Sequence, residues 1–282
     1  TRERDQLKEE NNCINFFLQS YKNVNEYVNV DEYKKKHEIL VKDKETGEIF
    51  AIKKFQMHLF KNIYNAMSLV AISRIGIPSI VTIRSYDFPE DPSSIGSYIM
   101  DYYKNGDIVD LTNKYLSSEC INHNKMNPTI RSKIIFGVAS TLKKLHCFNF
   151  VHRHFSMEKV LLDDKLEPKI ALSIFSGYLI DEKECLFQSD NFDQYRNIHM
   201  FELNDDLSLR KYNDIYSFGI FLYRMFEMPK IFDRFVEKRR KNSNLMPKKP
   251  ELINDHYWDL IMKCLGNQIA RPSFDEITNM LK

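Results

Sequence analysis

Alternating apolar and polar positions in the first third of the chain are typical of short strands. Two apolar runs, Glu38–Val41 and Ile49–Ile52, flank the polar segment Asp43–Glu48. Gly47 in this segment can adopt a positive φ angle, so the three pieces predict a β-hairpin. The pattern predicts further elements on either side: a leading helix or linker over 1–27, a helix over 63–75, and strands over 80–83 and 97–100.

The second part of the chain has helical periodicity. Asn127-Pro128 is a helix start signal, because Asn caps and Pro fits the first helical position. The run 215–226 is apolar nearly all round, as in a helix enclosed by a core, and Ser273 with Glu276 forms a capping box for a last helix. Strands followed by helices predict an α+β fold in two lobes, with the boundary near Asp101–Gly106.

Composition excludes several classes of protein. Of 282 residues, 43% are hydrophobic and 28% charged, which is typical of a folded chain, and the net charge of +2 gives no indication of nucleic-acid binding. The five cysteines include no CxxC pair, so we expect neither a disulfide framework nor a zinc ribbon, and we expect a cytoplasmic, reducing location. No apolar run reaches the roughly 18–20 residues of a membrane span. Because the chain starts at Thr1, we expect it to be part of a longer protein.

Four stretches, in order and well separated, resemble motifs of one family. Residues 50–53 (FAIK) resemble the VAIK strand, and residues 152–163 (HRHFSMEKVLLD) resemble the catalytic loop HRDLKPENILLD. Residues 214–220 (DIYSFGI) are nearly DVYSFGI, and 264–274 resemble the C-terminal CL…RPSF. The chain thus resembles the eukaryotic protein kinase domain, and the last two motifs are most similar to those of the tyrosine-kinase-like branch.

The resemblance implies a bilobal fold over 28–282. An N-lobe of antiparallel sheet plus helix would span about 28–101, and a mainly helical C-lobe about 102–282. The resemblance also assigns roles. Lys53 would be the phosphate contact, with an adenine pocket of Ala51, Met100, Asp101, Tyr103 and Leu161. The residues of structural importance would be His152, Arg153, Glu202, Asp214 and Arg271, with Glu202 pairing with Arg271 and Asp214 binding the backbone of the catalytic loop.

The positions that carry catalysis in the family are changed throughout. No two of the eight glycines are closer than ten residues, so no glycine-rich phosphate loop exists, and its place falls on Asp31–Lys36. The valine that covers adenine becomes Glu38, or Ile39 after a one-residue slip. The remaining substitutions are Ser68 for the helix glutamate, His154 for the catalytic aspartate, Ser156 for the loop lysine, Lys159 for the magnesium-binding asparagine and Leu172 for the DFG aspartate.

These changes predict a pseudokinase. Magnesium prefers hard oxygen ligands, and both of its protein ligands are gone. Lys159 adds a positive charge, and two charges about 4 Å apart repel by about 4 kcal/mol at an effective dielectric of about 20. A histidine can act as a base, but His154 would lack the metal and the positioning that carry phosphoryl transfer. We therefore expect no metal site.

Three functions remain open from the sequence. The first is a signalling scaffold or allosteric module that binds a protein partner, such as an active kinase. The second is binding of ATP or another anion without magnesium, between Lys53 and Lys159, although Lys53 fits equally well as a strand lysine with a solvated head. The third is weak serine/threonine kinase activity that uses ATP and His154 as base.

Overall fold

The computed structural model describes residues 23–30, 39–59, 63–116, 127–173, 176–178, 207–227, 229–241, 245–251 and 253–282. The chain divides into two compact units, Thr1–Tyr102 and Tyr103–Lys282. Within the described residues, no helix is both long enough and apolar enough to pass through a bilayer.

The first unit contains a five-stranded antiparallel sheet with the order β1-β2-β3-β5-β4. Its strands are β1 (Tyr27–Asn29), β2 (Ile39–Asp43), β3 (Ile49–Gln56), β4 (Ile83–Asp87) and β5 (Ile95–Asp101). The predicted hairpin is confirmed as β2–β3, and Gly47 has a φ of 75° in its turn. Gly supplies this left-handed conformation without the clash that a Cβ would bring.

One helix, α1 (Ile63–Arg74), accompanies the sheet and confirms the helix predicted there. Its inner side carries Leu69 and Ile72, both fully buried. The predicted strand over 80–83 is wrong in extent, because strand β4 begins only at Ile83. Ile80 forms an isolated β-bridge, and Val81 lies between this bridge and β4; both are buried, so the apolar run reflects burial of a connecting segment.

The fold begins ahead of the boundary placed at residue 28. Val24 lies in a 3-10 turn and Tyr27 in β1, and both pack against the core cluster of Val41, Phe50, Ile52 and Ile99. The Tyr27 ring meets the Phe50 ring edge-on at 5.6 Å. Residues 24–27 therefore belong to the folded unit, while residues 1–22 lie outside the described residues.

The second unit is mainly helical, which together with the sheet and helix of the first confirms the predicted α+β class. Its helices are α2 (Ile108–Leu116), α3 (Pro128–Cys147), α4 (Leu207–Phe226), α5 (Pro229–Lys241), α6 (Asp255–Leu265) and α7 (Phe274–Met280). Its short strands form two pairs, β6 (Phe150–Val151) with β9 (Gly177–Tyr178) and β7 (Val160–Leu162) with β8 (Pro168–Ile170).

Local signals at the helix ends are confirmed. Asn127 accepts a hydrogen bond from the Thr129 backbone and Pro128 opens α3. Ser273 and Glu276 form the predicted capping box of α7. Described side chains of α4 from 214 to 226 are all buried, as the apolar run predicted.

Candidate functional site

In the first unit, β3 and β5 carry the side chains that the kinase resemblance assigns to nucleotide binding. Ala51 on β3 lies in register with Met100 on β5 and Leu40 on β2, and Ala51 and Met100 are 2% and 3% exposed. Lys53 lies two residues further along β3, in register with buried Tyr98, and is half-buried. Side chains alternate along a strand, so Ala51 and Lys53 share one face of the sheet.

Ser68 lies in the middle of α1 and is half-buried. A hydroxyl at this position cannot supply the negative charge with which the family's glutamate holds the lysine. The segment 60–75 contains no acidic residue at all. No small shift of α1 would therefore bring a carboxylate to Lys53.

An ion pair and a backbone hydrogen bond fix the end of β5. Arg84 on β4 donates to both carboxylate oxygens of Asp101, at 2.6 and 3.2 Å. The Asp101 backbone donates to the Thr82 carbonyl at 3.2 Å. The Asp101 side chain, which the sequence assigned to the adenine pocket, is thus engaged by its own sheet.

In the second unit, Asp214 of α4 holds the start of the loop 152–159, hereafter the catalytic-position loop. Its Oδ2 accepts from the His152 backbone and its Oδ1 from the Arg153 backbone, each at 2.8 Å. His146 Nε2 lies 3.0 Å from the same Oδ2. Asp214 is 1% exposed, so these contacts compensate a carboxylate removed from water. Arg153 has a φ of 60°, and the two backbone hydrogen bonds help to retain this unfavourable conformation.

His152 is completely buried and neutral. Burial lowers its pKa from 6.5 to about 4; Asp214 acts against this shift, whereas His154 and Lys159 add to it. Its Nε2 lies 3.2 Å from the Ala171 carbonyl, so Nε2 carries the proton, and Nδ1 is buried without a hydrogen-bond partner. The ring packs edge-on against Phe155 at 5.6 Å.

The β7–β8 hairpin brings two separated sequence positions together. Val160 pairs with Ile170, so Lys159 and Ala171 lie side by side just beyond the strands, and the Ala171 backbone donates to the Lys159 carbonyl at 2.8 Å. Leu172 follows directly and is 7% exposed. The register therefore places next to each other the two positions that the resemblance assigns to the magnesium-binding asparagine and the DFG aspartate, and these positions hold Lys159 and Leu172.

These residues do not fit magnesium. A hard cation needs oxygen ligands, whereas Lys159 is a cation and Leu172 has no donor atom. Among the described residues, no group of three His, Cys, Asp or Glu side chains could hold a metal ion.

Hydroxyl groups occupy the space beside this hairpin. Ser176 Oγ accepts from the Ser173 backbone at 3.0 Å and donates to the His152 carbonyl at 2.9 Å. Ser173 Oγ lies 3.4 Å from His154 Nδ1, and the His154 backbone donates to the His152 carbonyl at 2.7 Å. The imidazole at the catalytic-base position thus faces a serine of its own unit.

Other predicted site residues lie in defined places. Ser156 is buried and precedes the 3-10 turn Met157–Lys159. Leu161 on β7 forms an isolated bridge with Asp107 and is 8% exposed. Tyr103 begins the second unit, and its carbonyl accepts from Gly106 at 3.0 Å.

Arg271 is 7% exposed and satisfies backbone carbonyls. It donates from Nε to Gly266 and from Nη1 to Tyr212, at 3.2 and 3.1 Å, and its guanidinium lies 5.0 Å from the centre of the Tyr216 ring. Its expected partner Glu202 lies outside the described residues, as do Asp31–Lys36 and Glu38. Ile39, the other candidate for the valine position, is 44% exposed.

Three members of these networks were missed from the sequence. His146 is 68 residues from Asp214, Ser176 contacts a loop 24 residues earlier, and Arg84 is 17 residues from Asp101. No spacing rule links such positions. The one available signal is chemical: a buried carboxylate needs hydrogen-bond donors, so a donor such as His146 is expected near Asp214.

Comparison with known proteins agrees with this architecture. A family model described as "Protein tyrosine and serine/threonine kinase" matches residues 26–281. The chain is 26% identical over 204 residues to Serine/threonine-protein kinase PKH2 of Candida albicans, covering 66% of this chain and 20% of that protein. It is 25% identical over 213 residues to a probable serine/threonine-protein kinase of Dictyostelium discoideum, covering 72% of this chain and 15% of that protein.

The chain spans a fifth or less of the length of these curated relatives. The match of the family model, in contrast, extends over nearly the whole chain, from the 3-10 turn before β1 to the end of α7. The chain therefore belongs to the protein tyrosine and serine/threonine kinase family.

Proposed function

We propose that this kinase domain does not transfer phosphate and acts as a binding module, a signalling scaffold or allosteric partner of another protein. One observation carries the proposal. The β7–β8 register puts Lys159 beside Ala171-Leu172, where a kinase needs two oxygen ligands for magnesium. Repulsion by the ammonium and the lack of any oxygen donor on Leu172 act in the same direction.

The contacts that still hold the catalytic-position loop favour a role in partner binding over a loss of all function. Asp214 still holds the backbone of His152 and Arg153, although the loop they start carries His154 in place of an acid. Burying a carboxylate is costly unless its hydrogen bonds are kept, and the three contacts of Asp214 are kept only while the loop stays in this conformation. A fixed loop with altered chemistry is what recognition of a partner would use.

Finer assignments belong to the same proposal. They are the tyrosine-kinase-like branch, the intracellular location and the identity of the partner as an active kinase. The protein partner is proposed because nothing in the composition favours nucleic acid.

A second candidate is phosphate binding without metal. Lys159 brings a positive charge to the position where the resemblance expects a ligand of magnesium, and a cation there can attract a phosphate without the metal. Lys53 is retained on β3, and the relatives named above are a serine/threonine-protein kinase and a probable serine/threonine-protein kinase. ATP without magnesium is the ligand proposed in this case, and weak serine/threonine kinase activity is its extension.

A thermal-shift titration combined with a transfer assay separates these functions. The chain is heated with ATP, with and without magnesium, and is also incubated with radiolabelled ATP and a generic protein substrate. A ligand at 100 times its Kd should stabilise by about 2.7 kcal/mol. We expect no magnesium-dependent shift and no labelled product.

Matched lysine variants locate any nucleotide that does bind. Lys53→Ala is compared with Lys54→Ala, which removes the exposed neighbour on β3, and Lys159→Ala with Lys165→Ala, which removes an exposed loop lysine. A metal-independent shift lost only in Lys53→Ala and Lys159→Ala would establish the second candidate. Magnesium-dependent labelling that disappears in His154→Ala would refute the proposal.

A further inference from the structure

Arg131 is an enclosed cation in the second unit. It lies in the second turn of α3 and is 7% exposed. Its Nε is buried without a hydrogen-bond partner. Across the described part of the chain, no carboxylate forms an ion pair with its guanidinium and no acceptor receives a hydrogen bond from it.

Two aromatic rings, those of Phe226 and Tyr257, lie beside the guanidinium. Its Cζ lies 4.6 Å from the centre of the Phe226 ring, at the end of α4. The Tyr257 ring of α6 packs against the same Phe226 ring at 5.0 Å, and its hydroxyl lies 3.1 Å from Ser132 Oγ. Stacking on an aromatic face orients a planar guanidinium and leaves its donors directed sideways.

The surroundings of Arg131 are arranged for negative charge. Burial lowers the pKa of the Arg131 guanidinium, and Tyr257 acts in the opposite direction. The first turn of α3 carries no acidic residue and begins at Pro128, so the positive end of the helix dipole is not neutralised there. Arginine remains protonated even so, and an enclosed charge without a hydrogen-bonded counterpart is unfavourable.

We propose that Arg131, with the Ser132 and Tyr257 hydroxyls, binds a carboxylate side chain of a protein partner. A carboxylate is planar and can accept two parallel hydrogen bonds from a guanidinium. The single negative charge of the carboxylate also matches the single positive charge of Arg131. Ser132 is exposed and Tyr257 half-buried, so the carboxylate would reach these two residues from solvent first. The half-buried Tyr257 ring would contact the methylene groups of the incoming side chain.

This site uses none of the residues at the catalytic positions. It goes beyond the proposed function, because it names the chemistry of the partner, and it stands whether or not the catalytic-position loop transfers phosphate. A failed nucleotide test and a failed carboxylate test are therefore separate results.

Nuclear magnetic resonance of arginine side chains in the full 282-residue chain tests the site. The probe is N-acetylglutamate α-amide, with one carboxylate, and its neutral matched control is N-acetylglutamine α-amide. The Arg131 Nε–H signal is assigned by its absence in Arg131→Met. We expect saturable movement of this signal with the glutamate probe and none with the glutamine probe.

Two variants define the contribution of Arg131. Arg131→Lys keeps the charge but loses the planar fork, and we expect at least tenfold weaker binding. Arg234→Met removes an exposed arginine of α5 and should leave the affinity unchanged. The wild-type comparison of the two probes depends on Arg131→Met for the assignment but not on Arg131→Lys, so it still decides the question if Arg131→Lys is unstable.

Three results would overturn the proposal. The first is an equal response to both probes. The second is no response to the glutamate probe at 100 mM, a concentration on the order of a hundred times a millimolar Kd. The third is saturation of the signal by inorganic phosphate with no saturation by the carboxylate, which would assign the site to a phosphorylated ligand.

Discussion

The neutral state of His152 predicts a specific pH dependence of folding. The imidazole has a pKa of about 4 in the folded chain, chiefly because it is buried, against 6.5 for an ordinary histidine. Between these values the unfolded chain binds a proton that the folded chain excludes. Stability from this group is therefore complete above pH 6.5 and declines as the pH falls towards 4. The loss is about 2 kcal/mol at pH 5 and about 3 kcal/mol at pH 4.

Urea unfolding of the wild type and of His152→Leu, between pH 7 and 4, measures this contribution. Both proteins share the other titratable groups, so we expect the difference between their free energies of unfolding to shrink by about 2 kcal/mol from pH 7 to 5. Phe155→Leu is the matched control. It removes part of the ring contact with His152 but no proton site, so it should lower stability equally at each pH. A difference between wild type and His152→Leu that stays constant over this range would refute the burial argument.

Three further outcomes can be checked. Asp214→Asn should lower the free energy of unfolding in urea by about 2 kcal/mol, because one buried backbone N–H loses its acceptor. The control Asp275→Asn, at an exposed ion pair, should change this free energy by less than about 1 kcal/mol, and equal effects of the two variants would contradict the role of Asp214. Gly219→Ala should destabilise by about 1–3 kcal/mol in the same assay, since its Cβ would lie 2.7 Å from the Cys264 Cβ; an unchanged midpoint would show that α4 and α6 separate easily. In peptide mapping after brief alkylation, Cys147 should be labelled and Cys264 spared, because burial raises the pKa of the Cys264 thiol to about 12; early labelling of Cys264 would indicate local opening of α6.

Much of the local structure could be read from neighbouring residues. The β2–β3 hairpin followed from Gly47 between two apolar runs, and the start of α3 followed from Asn127-Pro128. Such signals succeed because a turn or a cap depends on a few consecutive backbone angles. The apolar run at Ile80 failed as a signal for a continuous strand, because a buried segment can pair at a single bridge, as Ile80 does, without forming a ladder.

The chemistry at the catalytic positions was also visible in the sequence. In the alignment that the resemblance implies, His154 stands for an aspartate and Lys159 for an asparagine, and each replacement changes the charge wherever the backbone places it. The sequence therefore predicts which groups are missing. It also indicated, through the kept Asp214, that the framework of the loop would remain.

Only the tertiary structure decided which residues come into contact. His146 reaches Asp214 across 68 residues, the β7–β8 register sets Lys159 beside Ala171, and Arg131 becomes enclosed against Phe226. Each of these contacts joins residues that are not neighbours in the chain, and the packing and pairing of the elements decide which residues meet. A sequence fixes the charge and shape of each side chain, but burial and distance set the energy of an electrostatic contact, and both arise only when the elements come together.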